Sequence, residues 1–202
     1  MAIDGPAAAG KGTIGLKLAK IFHFSYLDTG LLYRAVASKA LETGIFPEIV
    51  AQNLHEKDLL KSNLRDLNVA KEASIIAAVP EVRLALMDFQ KYFSEKTEGA
   101  VLDGRDIGTV VFPKAELKIF MTADAEVRAM RRFNELKEKD ETITYDEILK
   151  NVQKRDLMDT TREDSPLIIA NDAIEIDNSE TNEEDQFHII LQLAKDRVAG
   201  RI

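Results

Sequence analysis

Gly5-Pro6-Ala7-Ala8-Ala9-Gly10-Lys11-Gly12-Thr13 lies between a short apolar stretch, Ala2-Ile3, and a run with helical spacing. A loop of this composition can turn its backbone N–H groups inward around a phosphate chain, because side chains at Gly5 or Gly10 would obstruct the approach. The N-terminus of the following helix adds partial positive charge. Lys11 at this offset reaches the β- and γ-phosphates of a nucleoside triphosphate, and a hydroxyl can hold Mg²⁺. The strict pattern puts Ser or Thr directly after the Lys; here Gly12 intervenes and Thr13 is the hydroxyl. The rival reading is an accidental glycine-rich turn. It needs three Gly, a Lys and a Thr at fixed offsets by chance, between a strand and a helix. The expected chemistry is binding of ATP with Mg²⁺ and transfer of a phosphoryl group.

Such transfer needs a second acid and concentrated positive charge. Asp103 closes an apolar run, where a fold of this kind places the carboxylate that orients the water shell of Mg²⁺; it also reads as a turn or cap aspartate. Thr29 and Arg34 follow a predicted strand end at Asp28, the kind of place where α/β sheets bind ligands. Taken alone, Arg34 is a solvated helix residue. Arg128 and Arg132 are four apart with Arg131 beside them, and Arg155, Asp159 and Arg162 are spaced four and three. Rows of this kind are by default solvated helix faces. In the company of a phosphate loop they are expected to surround the moving phosphoryl group, since guanidinium offers a flat bidentate fork for phosphate. His23, His55 and His188 are isolated and read as packing or surface residues.

The elements that must position these residues alternate. Strands are predicted at Ala2-Ile3, at Ser25 to Leu27, at Gly99 to Asp103, at Leu117 to Met121 and at Ala173 to Ile176. The fourth is apolar except for Lys118, as suits a strand covered on both sides. Helices are predicted after the phosphate loop, over Leu31 to Leu41 with Thr43-Gly44 as its end, and from Pro80. Others run from an Asp124 cap to about Glu138, from near Tyr145, and at the C-terminus. Residues 47–98 show helical spacing and no convincing strand. Lys139-Asp140-Glu141 is a charged break, and the acidic run from Asp177 to Asp185 is expected in solvent. The architecture expected is α/β, a five-stranded parallel sheet wrapped by helices.

The bulk properties agree with that class. The chain has 202 residues, is 45% hydrophobic and carries a net charge of −8, which argues against broad nucleic-acid binding. No apolar run is long enough to suggest a membrane span, there is no room for a signal peptide before the first strand, and cysteine is absent. A cytoplasmic monomer is expected, organised as a single domain over 1–202.

Four stretches resemble the bacterial cytidylate kinases: Ala2 to Thr13; Tyr26-Leu-Asp-Thr-Gly30 with Leu32-Tyr-Arg-Ala35; Asp103 to Pro113; and Arg155-Asp156, Asp159, Thr161-Arg162 with Ser165-Pro166-Leu167. The resemblance implies a nucleoside monophosphate kinase fold, with ATP held by residues 5–13, Mg²⁺ at Thr13 and Asp103, and CMP or dCMP as acceptor. The same resemblance implies a core of 1–34, 99–124 and 172–202, a mobile acceptor-binding segment at about 35–98 and a mobile lid at about 125–171. It implies that Ser74, Arg83 and Asp106 meet cytosine, that Thr29, Arg34 and Arg105 meet the acceptor phosphate, and that Arg155 and Asp159 meet the ribose. Arg162, with Arg128 or Arg131, matches lid arginines that close over the transferring group; Lys11 and Asp103 complete the catalytic set. A carboxylate at Asp106 suits the exocyclic amine of cytosine and rejects uracil, whose polarity there is reversed.

Two departures accompany the resemblance. The family's small antiparallel sheet has no counterpart between Ala35 and Val82, which reads helical. The three alanines at 7–9 stand where the family often has Ser and Gly; since backbone N–H groups bind there, little effect is expected. The remaining alternatives are the same chemistry on UMP, AMP or shikimate, and a nucleotide-binding switch that transfers nothing.

Overall fold

The computed structural model describes residues 1–138, 142–180 and 183–200. Its centre is a five-stranded sheet of β1 (Ala2–Asp4), β2 (Ser25–Asp28), β3 (Ala100–Gly104), β4 (Lys118–Thr122) and β5 (Ile174–Asp177), in the order β2-β3-β1-β4-β5. β1 pairs in parallel with β3 and with β4, and β4 in parallel with β5. Every residue of β1 is buried, as are the first four of β4. The largely apolar composition of these strands therefore follows from their being covered on both faces, and Asp4 and Lys118 are buried with them.

Eight α-helices are described: α1 (Lys11–Phe22), α2 (Thr29–Thr43), α3 (Pro47–Gln52), α4 (Leu67–Ile76), α5 (Pro80–Glu95), α6 (Ala125–Lys137), α7 (Tyr145–Thr161) and α8 (Glu183–Ala199). The chain divides into two compact units. One comprises residues 1–26 and 99–202; the other is 27–98, so the division falls inside β2.

The first unit is organised by a core in which Ile14, Leu18 and Ala19 of α1 and Ile190 and Ala194 of α8 close over Ile3, Val101, Ile119 and Met121. α7 begins with a reciprocal cap: the Thr144 hydroxyl accepts from the Glu147 N–H while Glu147 turns back to the Thr144 N–H. Such a box satisfies donors that the first turn leaves without partners. Asp124 is the residue before α6, but its side chain makes no capping bond there; its carbonyl accepts the Arg128 N–H instead. Lys139-Asp140-Glu141 lies outside the described residues, as do Thr181 and Asn182 of the acidic run. The start of that run departs from expectation, because Asn178 is buried at 4% exposure.

The second unit is helical from α2 to α5, with two single 3₁₀ turns at Glu56–Leu60 and Ser62–Arg65, and residues 47–98 contain no strand. Pro80 opens α5 from its first turn, where its missing N–H costs nothing. In place of a sheet, a polar knot joins α2 to the second 3₁₀ turn: the Ser38 hydroxyl and Glu42 carboxylate meet the Asn63 amide at 3.0 and 3.1 Å. No helix among the described residues is long and apolar enough to cross a membrane.

Candidate active site

The phosphate loop runs from the end of β1 into α1, and its backbone explains its sequence. Gly5 has φ 143°, and a Cβ there would meet the Met121 carbonyl oxygen of β4 at 1.9 Å. Gly10, at φ 95°, precedes the first turn of α1. Ala8 also takes a positive φ, 60°, which glycine would adopt without strain. Lys11 is 6% exposed, and its ammonium donates to the Pro6 carbonyl at 2.7 Å. The cation is thus folded back onto the loop it serves. Thr13 is exposed in the first turn of α1.

Three residues that sequence reasoning gave no role secure this loop. Asp4, 5% exposed, accepts from the Ile107 and Gly108 N–H groups at 2.8 and 2.7 Å. It thereby ties the end of β1 to a single π-helical turn, Ile107–Val111, directly after Arg105 and Asp106. Burial raises its pKa; the two N–H donors and nearby Lys11 pull the other way without prevailing. Asn178 donates its amide to the Ala9 carbonyl at 3.0 Å. Tyr26 donates its hydroxyl to Asp103 Oδ2 at 2.6 Å. Asp103 is itself 5% exposed at the end of β3. Of these, Asp4 and Tyr26 fall within stretches that carry the family resemblance, though neither takes a role there, and Asn178 leaves no trace in the sequence.

Farther along the same unit the arginines separate. Arg105 donates Nε to Asp159 Oδ2 at 2.7 Å, and Arg155 Nε lies 4.0 Å from the same oxygen. Burial pushes the Asp159 carboxyl up, but Arg105, Arg155 and Arg162 together outweigh it and hold the pKa below its ordinary value. Arg155, Asp159 and Arg162, expected on one face, do lie together, and Arg105, expected beside Thr29 and Arg34, joins them through Asp159. Arg162 enters this group differently from expectation: α7 ends at Thr161, so Arg162 is the first extended residue, and its Nε donates to the Ser165 carbonyl at 2.7 Å. Asp106, 6% exposed, follows Arg105.

Arg128 and Arg132 do not share a role. Arg128, 4% exposed, makes a two-pronged pair with Asp156 of α7 at 3.0 and 2.6 Å and also donates to the carbonyls of Ala123 and, at 3.3 Å, Ala7. It thus links α6, α7 and the phosphate loop. Arg132 pairs with exposed Glu135. Arg131 gives Nη2 to the Asn178 carbonyl at 2.7 Å, while its buried Nη1 has no hydrogen-bond partner among the described residues.

In the second unit, Thr29 is buried at the start of α2. Arg34 Nη1 donates to the Leu64 carbonyl at 3.0 Å. Arg83, 5% exposed, donates Nη1 to the Ala77 carbonyl at 3.0 Å and stands 5.9 Å from the centre of the Tyr33 ring. Ser74 is half-buried and donates to the Ala70 carbonyl of its own helix.

As to the metal, Thr13 and Asp103 offer hard oxygen donors of the type Mg²⁺ prefers. The Asp103 carboxylate is fixed in place by Tyr26. The residues present fit a cation carried in with a nucleotide.

Comparison with known proteins bears on this arrangement. The family described as "Cytidylate kinase" matches residues 1–196. A cytidylate kinase of Flavobacterium psychrophilum is 45% identical over 96% of each chain. One from Cereibacter sphaeroides is 51% identical over 89% of this chain and 87% of its own. Among solved structures, an uncharacterized protein from Eubacterium ventriosum superposes with a TM-score of 0.52 at 14% identity, covering 95% of both chains, a likeness of fold alone.

Proposed function

The chain belongs to the cytidylate kinase family, and from that premise we propose that it moves the γ-phosphoryl group of ATP onto CMP, and onto dCMP, giving ADP and the diphosphate. It is an ATP-dependent phosphotransferase. The observation that carries the residue-level reading is the cluster of Arg105, Arg155 and Arg162 about the single carboxylate of Asp159. Such a net-positive cluster suits a phosphate beside a ribose, with Asp159 accepting from sugar hydroxyls.

In this reading the backbone of residues 5–13 cradles the triphosphate, and Lys11 leaves the Pro6 carbonyl for the β- and γ-phosphates. Mg²⁺, when bound, neutralises phosphate charge, held by Thr13 and, through water, by Asp103. Thr29, Arg34 and Arg105 take the acceptor phosphate; Ser74, Arg83 and Asp106 take the base; Arg155 and Asp159 take the ribose. Asp106 accepts from the exocyclic amine of cytosine. The acceptor phosphate needs no strong general base, since its second pKa is about 6. Catalysis is then positioning and charge neutralisation. Residues 125–171 act as a lid that excludes water on closing.

Between the two candidate partners of Arg162, Arg131 is favoured for the transferring group. Arg128 already serves Asp156 and two carbonyls, whereas Arg131 has a buried nitrogen to offer. Arg128 contributes by holding the lid helices to the phosphate loop. The setting proposed is cytoplasmic and the acting species a monomer.

Arg162→Ala tests the lid assignment. Loss of one guanidinium at a transferring phosphoryl group is expected to lower kcat by a factor on the order of 10². A kcat within about twofold of the parent enzyme would remove Arg162 from the site.

A further inference from the structure

Resting on that reading, we propose that Tyr26 is a positioning residue for the metal end of the ATP site. Its hydroxyl holds the Asp103 carboxylate in the orientation from which it meets the water shell of the divalent cation. Thr13 keeps the metal-holding hydroxyl; Tyr26 supplies Asp103 with the donor that a Ser or Thr at residue 12 would be placed to offer.

Position 12 shows why. A Cβ built on Gly12 would lie 3.3 Å from the Tyr26 hydroxyl and 3.6 Å from Asp103 Oδ2. The place where the strict pattern puts Ser or Thr therefore faces the Tyr26–Asp103 pair. The hydrogen bond itself, at 2.6 Å, has the length of a hydroxyl donating to an ionised carboxylate, a strong class of bond. Asp103 is 5% exposed, so solvent is a poor substitute for that donor, and a buried carboxylate deprived of one is costly.

The Tyr26 ring is fixed in turn. A Cβ on Gly15, one turn along α1, would fall 2.8 Å from the ring edge, so the glycine at 15 is what lets the ring lie against the helix. Two glycines of α1 and one tyrosine of β2 thus form a single device. The ring packs against the helix that begins with Lys11, and its hydroxyl aims the carboxylate at the end of the neighbouring strand.

The test reads metal affinity directly, by the paramagnetic signal of free Mn²⁺ titrated with the enzyme and a non-hydrolysable ATP analogue. Mn²⁺ stands in for Mg²⁺ on oxygen ligands. Tyr26→Phe keeps the ring against Gly15, and calorimetry checks that it remains folded. The expected result is Mn²⁺ bound about tenfold more weakly in the ternary complex, with affinity for the metal-free analogue unchanged.

Adding Gly12→Ser to Tyr26→Phe places a hydroxyl within reach of Asp103, and Mn²⁺ affinity is expected to return. Adding Gly12→Ala instead supplies the carbon without the donor and is expected to restore nothing. Mn²⁺ affinity within about twofold of the parent in Tyr26→Phe would overturn the proposal, as would an equal loss of metal-free nucleotide binding or a failure of the serine to rescue. CMP-dependent ADP release by the parent enzyme is measured alongside. Its absence would count against the proposed function, while the Mn²⁺ titration would still decide the role of Tyr26.

Discussion

Ala8 sits at φ 60° in the middle of the phosphate loop. A left-handed conformation costs a residue with a Cβ about 1–2 kcal/mol. Glycine escapes that cost but loses about 0.5–1 kcal/mol in chain entropy on ordering. The first effect is the larger over most of these ranges, so Ala8→Gly is expected to raise the urea midpoint, by a net gain of up to about 1.5 kcal/mol, at unchanged slope. A lowered midpoint would show that the loop tolerates alanine without strain. Ala8 is thus expected to weigh on the fold through its backbone conformation, even though the loop binds through backbone groups.

Asp159 makes a second prediction at this scale. Its folded pKa lies below its ordinary value because three arginines outweigh burial. A depressed carboxyl contributes stability that is present above the unfolded value, about 3.9, and is lost as pH falls through the folded value. Asp159→Asn leaves the arginines without their counter-charge and is expected to cost about 3 kcal/mol at neutral pH. Thermal unfolding should therefore show a gap between parent and variant that is wide at pH 7 and narrows below pH 4. A gap that stayed constant with pH would assign the loss to packing. Asp4 has the opposite sign: its raised pKa makes its contribution fullest below the unfolded value and smaller as pH rises through the folded one.

At the scale of elements, α7 is held at both ends by different means. Thr144 and Glu147 cap its start, and the Arg105–Asp159 pair anchors its last turns. Residue 144 precedes Arg155 by three turns, about 16 Å along the axis. Thr144→Ala is accordingly expected to cost about 1 kcal/mol of stability while kcat at saturating substrates stays close to that of the parent. A large fall in kcat with little change in melting would mean that the cap governs lid closure.

Legibility in the sequence divided along the same lines. β4 and the phosphate loop were readable because their signals are local: a mostly apolar run around Lys118, and glycines next to a lysine. The cap at Thr144 was equally local, yet only the approximate helix start was inferred. The π-helical turn after Asp106 has no comparable pattern. Its shape depends on Asp4, about a hundred residues away, accepting two of its N–H groups. Tyr26 and Asn178 were missed for the same reason: their partners, Asp103 and Ala9, are brought near by the strand order β2-β3-β1-β4-β5. The arginine rows were visible as spacing, but spacing alone implied one shared face for Arg128 and Arg132. Burial of Arg128 against Asp156 separates them.

At the scale of the whole molecule, the chain carries a net charge of −8, and the local positive charge that the proposed anionic substrates need is offered where Arg105, Arg155 and Arg162 surround Asp159. Between Ala35 and Val82 the chain is helical, as its spacing implies, and the family's small antiparallel sheet has no counterpart there. Arg34 and Arg83 are fixed by the carbonyls of Leu64 and Ala77. The central claim is therefore about the acceptor. It is tested most directly by ADP release with MgATP and, in separate runs, CMP, dCMP, UMP, AMP and shikimate. The account predicts fast release with CMP and dCMP and a fall of at least about tenfold with UMP, for which Asp106 would face an acceptor rather than a donor. Equal rates with CMP and UMP would contradict the role given to Asp106, and no stimulation by any acceptor would contradict phosphoryl transfer itself.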